Sequence, residues 1–267
     1  MSVQTLYTAA TGMDSLQTKL DVLANNLANV NTVGFKKARA NFEDLFYRQV
    51  RLPGVDDQSG GGPTPTGIAV GLGSRVSSTQ TDFQQGAFQT TGNQLDVAIE
   101  GDGFFQVSYD NNLYYTRAGN FSINANGQLV MGSANSGRLL EPQINIPPEA
   151  TDISIGDTGV VQVRLPGTTT LQQVGQLQIA RFLNPEGLLK RGDNLFEETD
   201  ASGQLVLGNP GQDGAGLLRQ SALEASNVEP VQELIDLITT QRAFELNSQT
   251  VQAGDQILQL IANLRRF

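Results

Sequence analysis

Apolar residues recur at helical spacing from the start of the chain. Leu6, Ala9, Met13, Leu16, Leu20, Leu23, Leu27 and Val30 are separated by intervals that alternate between three and four. Such intervals keep one seam on a helix face and mark a coiled coil. The end of the chain repeats the alternation at Ala243, Leu246, Thr250, Ala253, Ile257, Leu260, Leu264 and Phe267. A second seam, Phe244, Val251, Leu258 and Ile261, runs beside it. Two adjacent seams make a stripe wider than one partner helix fills, which predicts several neighbours. Periodicity alone also fits an ordinary amphipathic helix packed on its own domain.

Glycine and proline disfavour helix interiors, and their distribution separates these ends from the middle. All 10 prolines lie between Pro53 and Pro230, and of 29 glycines only Gly12 and Gly254 fall outside the span from Gly34 to Gly216. "RLPGVDDQSGGGPTPTGIAVGLG", residues 51–73, reads as irregular chain, an extended arm or loop. From about residue 74 short alternating runs such as Phe104-Phe105-Gln106-Val107 and Val160-Val161-Gln162-Val163 predict strands. Asn126-Gly127, between "FSINA" and "QLVMG", predicts a hairpin with a two-residue type I′ turn. The expected fold is therefore α+β: long N- and C-terminal helices forming a coiled-coil-like pair, an extended arm and a central all-β domain. The predicted divisions are 1–33 with 227–267 for the helical domain, 34–73 for the arm and 74–226 for the β domain.

Composition narrows the chemistry. The chain has no histidine and no cysteine, which removes the commonest general base, the usual zinc ligands and every Ser-His or Cys-His nucleophile pair. Twenty-seven acidic against 17 basic residues give a net charge of −10, which disfavours nucleic acid and anionic membranes as partners. The N-terminal residues lack the basic and apolar regions of a cleaved signal, and no apolar run predicts a membrane span. Gly101-Asp102-Gly103 begins like a dinucleotide fingerprint, but position 106 is glutamine and a strand pattern follows, so a tight turn feeding Phe104 and Phe105 into a sheet is the better reading. No catalytic, cofactor-binding or metal-ligating residue is assigned.

The acidic pairs Glu43-Asp44, Asp56-Asp57 and Glu197-Glu198 leave a carboxylate-dependent hydrolase open as an alternative, although adjacent acids are more often solvated surface. A secreted β binding module is another. Lys36, Lys37 and Arg39 follow the first helix and read as cations complementing its dipole. Asn25, Asn26 and Asn29 lie beside the seam, where amides that both donate and accept could bridge neighbouring backbones and penalise a slipped register between subunits. Asn31, Thr32 and Gly34 read as the helix stop. The candidate subunit-packing residues are thus Leu6, Met13, Leu16, Leu20, Leu23, Asn25, Asn26, Leu27, Asn29 and Val30 in the first helix, with Phe244, Leu246, Asn247, Val251, Ile257, Leu258, Leu260, Ile261 and Leu264 in the last.

Three stretches, "TAATGMDSLQTKLDVLANNLANVNTVGFKKARANFEDLFY" (8–47), "QLDVAIEGDGFFQV" (94–107) and "ASNVEPVQELIDLITTQRAFELNSQTVQAGDQIL" (225–258), resemble the flagellar axial family of rod and hook proteins, in the right order and over essentially the whole chain. Among its members the chain is most similar to those of the distal rod, with proximal rod and hook-type proteins as alternatives. The resemblance implies a self-assembling helical tube with the terminal helices inside and the β domain outside, turning as a shaft between motor and hook. It implies as partners further copies of the chain, proximal rod and hook or junction proteins, periplasmic and outer-membrane ring proteins, and the type III export apparatus, with no cofactor. It places the protein in the basal body, in the rod that spans the periplasm, exported without a cleaved signal peptide. It also implies termini that are disordered before assembly, as expected of helices that gain most of their stability from packing. Pro230 and the absence of tryptophan depart from relatives; proline suits a first helical turn, with Asn227 or Glu229 as a possible cap.

Overall fold

The structure, a computed structural model, describes residues 3–52, 66–132, 137–167, 170–212 and 214–264. The chain divides into two compact units. The first combines 1–27, 38–80 and 230–267; the second combines 28–37 with 81–229.

The first unit is built on two long helices, α1 (Val3–Ala28) and α2 (Pro230–Leu264). Proline at the first position of α2 suits helix initiation, because its fixed φ is helical and its missing N–H would have no intrahelical acceptor. The helices meet at three levels. A β-carbon on Gly254 would lie 2.4 Å from Leu6 Cδ2, and one on Gly12 would lie 3.3 Å from Asn247 Nδ2. Asn26 Nδ2 donates to Glu233 Oε2 at 3.2 Å. Residue numbers rise along one helix as they fall along the other, so the two run antiparallel.

Among the described residues, two strand pairs also belong to this unit. Ala38–Asp44 pairs with Ser74–Thr81, and Tyr47–Arg51 pairs antiparallel with Ile68–Gly71, with a bulge between Gln49 and Arg51. The 51–73 stretch is therefore not irregular throughout, since its end at Ile68–Gly71 is a paired strand. Residues 53–65, with the Asp56-Asp57 pair, lie outside the described residues.

In the second unit, Phe104–Tyr109 pairs along one edge with Asn112–Thr116 and shares the other between Ile179–Arg181 and Leu139–Glu141. It is the centre of a nine-stranded sheet. Alternation gives it two buried faces: Phe105 and Val107 join a large core with Ile99, Phe121, Val161, Val163 and Ile179, while Phe104 packs with Tyr115, Leu188 and Phe196. Gly101 and Gly103 turn the chain into this strand, as the sequence predicts. Each fully buried large side chain of this kind contributes about 1.5–3 kcal/mol.

The hairpin at Asn126-Gly127 forms, but with a different turn. Phe121–Ile123 pairs antiparallel with Leu129–Met131, and only Gly127 has positive φ. Gly127 N donates to Asn124 O at 3.0 Å, and the Asn124 side chain accepts from Gln128 N at 2.9 Å. This is a type I turn closed by a left-handed glycine, a longer loop than the type I′ turn that Asn-Gly suggested.

Candidate subunit interface

The face of α2 that meets α1 is not its most apolar one. Glu233, Thr240, Asn247 and Gly254 recur every seven residues, and Glu233, Thr240 and Gly254 are buried. On α1 the buried residues, among those described, are Ala9, Ser15, Leu23 and Asn26. Small and polar side chains let the two backbones approach closely. Glycine inside a helix costs about 1 kcal/mol relative to alanine, and at Gly254 a side chain would force that of Leu6 to move.

The large apolar residues of α2 are left outside. Val231, Leu234, Ile235 and Ile238 form an exposed stripe over two turns, and Leu246, Leu260 and Ile261 extend exposed apolar surface toward the C-terminal end. Of the other α2 candidates, Phe244, Asn247, Val251, Ile257 and Leu258 are half-buried; the side chain of Leu264 lies outside the described residues. On α1, Leu23 and Asn26 are buried, Asn25 is exposed, and Leu6, Met13, Leu16, Leu20 and Leu27 are half-buried. Asn29 and Val30, just past the helix, are half-buried too. Sequence reasoning missed the α2 stripe from Val231 to Ile238, although its spacing is helical. It also missed the apolar hairpin, where Phe46 is 87% exposed and Tyr47, Val50, Ile68 and Val70 are exposed. An isolated two-stranded ribbon is marginal in water, and contiguous apolar surface on a folded chain marks a contact site.

Of the asparagines, Asn26 is engaged within its own chain. It is 1% exposed; its Nδ2 donates to Ala38 O at 2.8 Å, and Ala38 N donates to its Oδ1 at 2.9 Å. The amide does bridge a neighbouring backbone, but that backbone belongs to its own chain. Asn29 Oδ1 accepts from Thr32 Oγ1 at 3.1 Å, inside the turn that follows α1.

The basic cluster also differs from expectation. Lys36 is not a cation at a helix end but is buried, its ammonium donating to Glu224 Oε1 and Gln84 O, both at 2.6 Å. Burial lowers the Lys36 pKa, the Glu224 carboxylate opposes that shift, and Arg117 adds to it. Gly34 N donates to Glu224 O at 2.8 Å, and Gly34 has φ +68 with the Arg117–Ala118 backbone against it. Asn227 Oδ1 accepts from Lys37 N at 2.8 Å, while its Nδ2 donates to Asp82 O and Gln84 O, so it ties these segments together and does not cap α2. The segment after α1 and the strand Ala222–Glu224 are thus fixed to each other within the second unit.

The described acidic pairs serve structure. Glu43 accepts from Ser77 Oγ at 2.7 Å and Arg75 Nη2 at 2.9 Å. Glu197 pairs with Arg191, and Tyr115 reaches Glu198 at 3.5 Å. Burial first, and then Glu198, push the Tyr115 phenol up to about 12. Among the described residues no cluster of His, Cys, Asp or Glu could hold a metal ion, and no helix is long and apolar enough to cross a membrane.

Three family models match in chain order. They are the flagella basal body rod protein at residues 6–36, the flagellar hook protein FlgE/F/G D1 domain at 98–163, and the flagellar basal body rod FlgEFG protein C-terminal region at 219–264. The flagellar basal-body rod protein FlgG of Caulobacter vibrioides is 47% identical, over 98% of this chain and 100% of its own. FlgG of Bacillus subtilis is 40% identical, over 99% of this chain and 100% of its own. The chain belongs to the FlgG family of flagellar basal-body rod proteins. Within it, the buried Lys36–Glu224 pair joins a residue of the N-terminal rod match to one of the C-terminal match. Similarity to the flagellar hook-basal body complex protein FlhP of Bacillus subtilis is lower, at 32% identity.

Proposed function

We propose that this chain is the structural subunit of the flagellar distal rod, assembling with copies of itself into a helical tube that carries torque from motor to hook. The observation that carries the reading is the outward apolar face of α2: a helix whose own partner takes its small and polar side leaves its Val, Leu and Ile for other subunits. The candidate packing residues on that face, Leu246, Leu260 and Ile261, then become contacts in a coiled-coil-like packing of helices from several subunits. In this arrangement 1–33 and 227–267 line the tube, 34–73 forms an arm between subunits, and 74–226 faces outward. Proximal rod, hook and junction proteins meet the ends of the tube, ring proteins surround it, and the type III apparatus exports the subunit. The likeness to rod proteins over the full length supports this assignment over a hydrolase or a secreted binding module.

Sedimentation against concentration, with electron microscopy of the product, tests it. A Leu260→Asp variant places a charge where apolar surfaces meet, at a cost of several kcal/mol if desolvated. The wild-type chain is expected to form rods and the variant to stay monomeric with an unchanged β-unit melting curve. Rods formed equally by both would refute the role given to this face.

A further inference from the structure

On α2 the stripe Val231, Leu234, Ile235 and Ile238 lies about 180° around the helix from the face that meets α1, counting about 100° per residue. The α1 helix of the same chain therefore does not cover it. Two charges continue the stripe: Arg242 follows Ile238 by four residues and Glu245 by seven, and both are exposed. They fall on opposite flanks. Ile235, Arg242 and Leu246 form one edge of the exposed face, and Leu234, Ile238 and Glu245 form the other. Although only three residues separate them on one helix, Arg242 and Glu245 make no ion pair or hydrogen bond among the described residues.

We propose that this face packs against α2 of a second copy of the chain running parallel to it, with Arg242 of one copy paired to Glu245 of the next. One offset serves every pair. Sliding one helix by three residues, about 4.5 Å along its axis, brings Val231 against the neighbour's Leu234, Ile235 against its Ile238 and Arg242 against its Glu245. An antiparallel pair fails the same requirement. Placing Arg242 opposite Glu245 in that sense sets Ile238, Ile235 and Val231 opposite Gln249, Gln252 and Gln256. Charges beside an apolar seam fix partner and register in this way in coiled coils. Because the two flanks differ, the contact is heterologous: each copy offers Arg242 to one neighbour and Glu245 to another, so contacts propagate instead of closing into a dimer. The pairing rests on the self-assembly reading above and names the helix contact within it.

The test uses two charge reversals of the full chain, Arg242→Glu and Glu245→Arg, each alone and then mixed. Either variant alone sets like charges against each other at every contact, and should raise the concentration needed for rod formation, read by sedimentation, about tenfold. An equimolar mixture should assemble near the wild-type concentration. Alternating copies then pair the two introduced residues at one contact and the two native ones at the next. Mixing cannot restore a contact made within one helix, since each variant keeps two like charges of its own. A mixture no better than the separate variants, or single variants that assemble as the wild type does, would overturn the pairing while leaving self-assembly standing. A wild-type chain that never assembles would overturn the self-assembly reading and the pairing together.

Discussion

The two units use hydrophobic residues in opposite ways. In the β unit the apolar side chains of the core strands face inward: Phe105, Val107, Val161, Val163 and Ile179 are 0% exposed. In the helical unit the buried positions include Ser15, Asn26, Glu233 and Thr240, while Val231 and Leu246 are 71% and 64% exposed. A core of this kind draws its stability from within the chain. A unit that displays its apolar surface gains stability only when neighbours cover it.

The largest test of this contrast compares truncations in the two units. Phe105→Ala should cost the monomer about 4 kcal/mol, through lost burial and a residual cavity. Ile235→Ala, on the exposed stripe of α2, should change monomer stability by less than about 0.5 kcal/mol. In the assembled state Ile235→Ala should shift the equilibrium toward free subunits. Urea unfolding of both variants checks the first pair of values, and sedimentation checks the second. Comparable monomer losses for the two would erase the distinction between the units.

Next in size is the buried ion pair that closes the β unit. Glu224→Gln removes the anion between Lys36 and Arg117 while keeping the side-chain volume. Leaving buried cations uncompensated should cost about 3 kcal/mol in urea unfolding of the β unit. Lys36→Met in the same background removes one of the two stranded cations, so the double variant should be more stable than the sum of the separate losses implies. Additive losses would mean that the charges do not act as one cluster.

Much of this architecture was legible in the sequence. Intervals of three and four and the near-absence of glycine and proline mark both helices, and alternating runs mark the β unit, because both patterns arise from backbone period. Which face of α2 turns inward was not legible from hydrophobicity, since the rule that apolar residues go inside assumes a monomer. A signal was nonetheless present. Gly12 and Gly254 are the two glycines outside the central span, and a glycine in a helix interior calls for a packing reason. Counting back from Gly254 by sevens gives Asn247, Thr240 and Glu233, the face that meets α1. Lys36 carried no such signal, because its partner stands 188 positions away and only the fold brings them together.

A smaller effect is expected at Asn26, where the helical unit is held by polar contacts. Asn26→Ala removes two bonds to Ala38 and one to Glu233. Losses of this kind cost about 2 kcal/mol, and the amides of α1 near Asn26 should exchange roughly 30-fold faster. The β unit's protection should not change. Asn26→Asp is the stricter variant: it can still accept from Ala38 N–H, but it cannot donate to Ala38 O and sets a second carboxylate beside Glu233. It should therefore be no better than alanine. Full protection in either variant would show that packing alone aligns the helices.

The smallest effect is at Glu43, on the exposed strand pair. The hydrogen bond from Ser77, and then the bond and charge of Arg75, hold its carboxyl below the ordinary 4.5. A carboxyl whose pKa is depressed by folding contributes stability above the unfolded value, and the contribution fades as pH falls through the folded value. Glu43 is exposed, so solvent screens the interaction and the effect should be slight. Wild type and Glu43→Gln should differ above pH 4.5 and converge on further acidification, with added salt reducing the Arg75 share of the difference. Melting curves across that range, at two salt concentrations, would reveal it. A difference that grew on acidification would have the wrong sign for a depressed carboxyl and would remove Glu43 from the contacts that hold the two strands together.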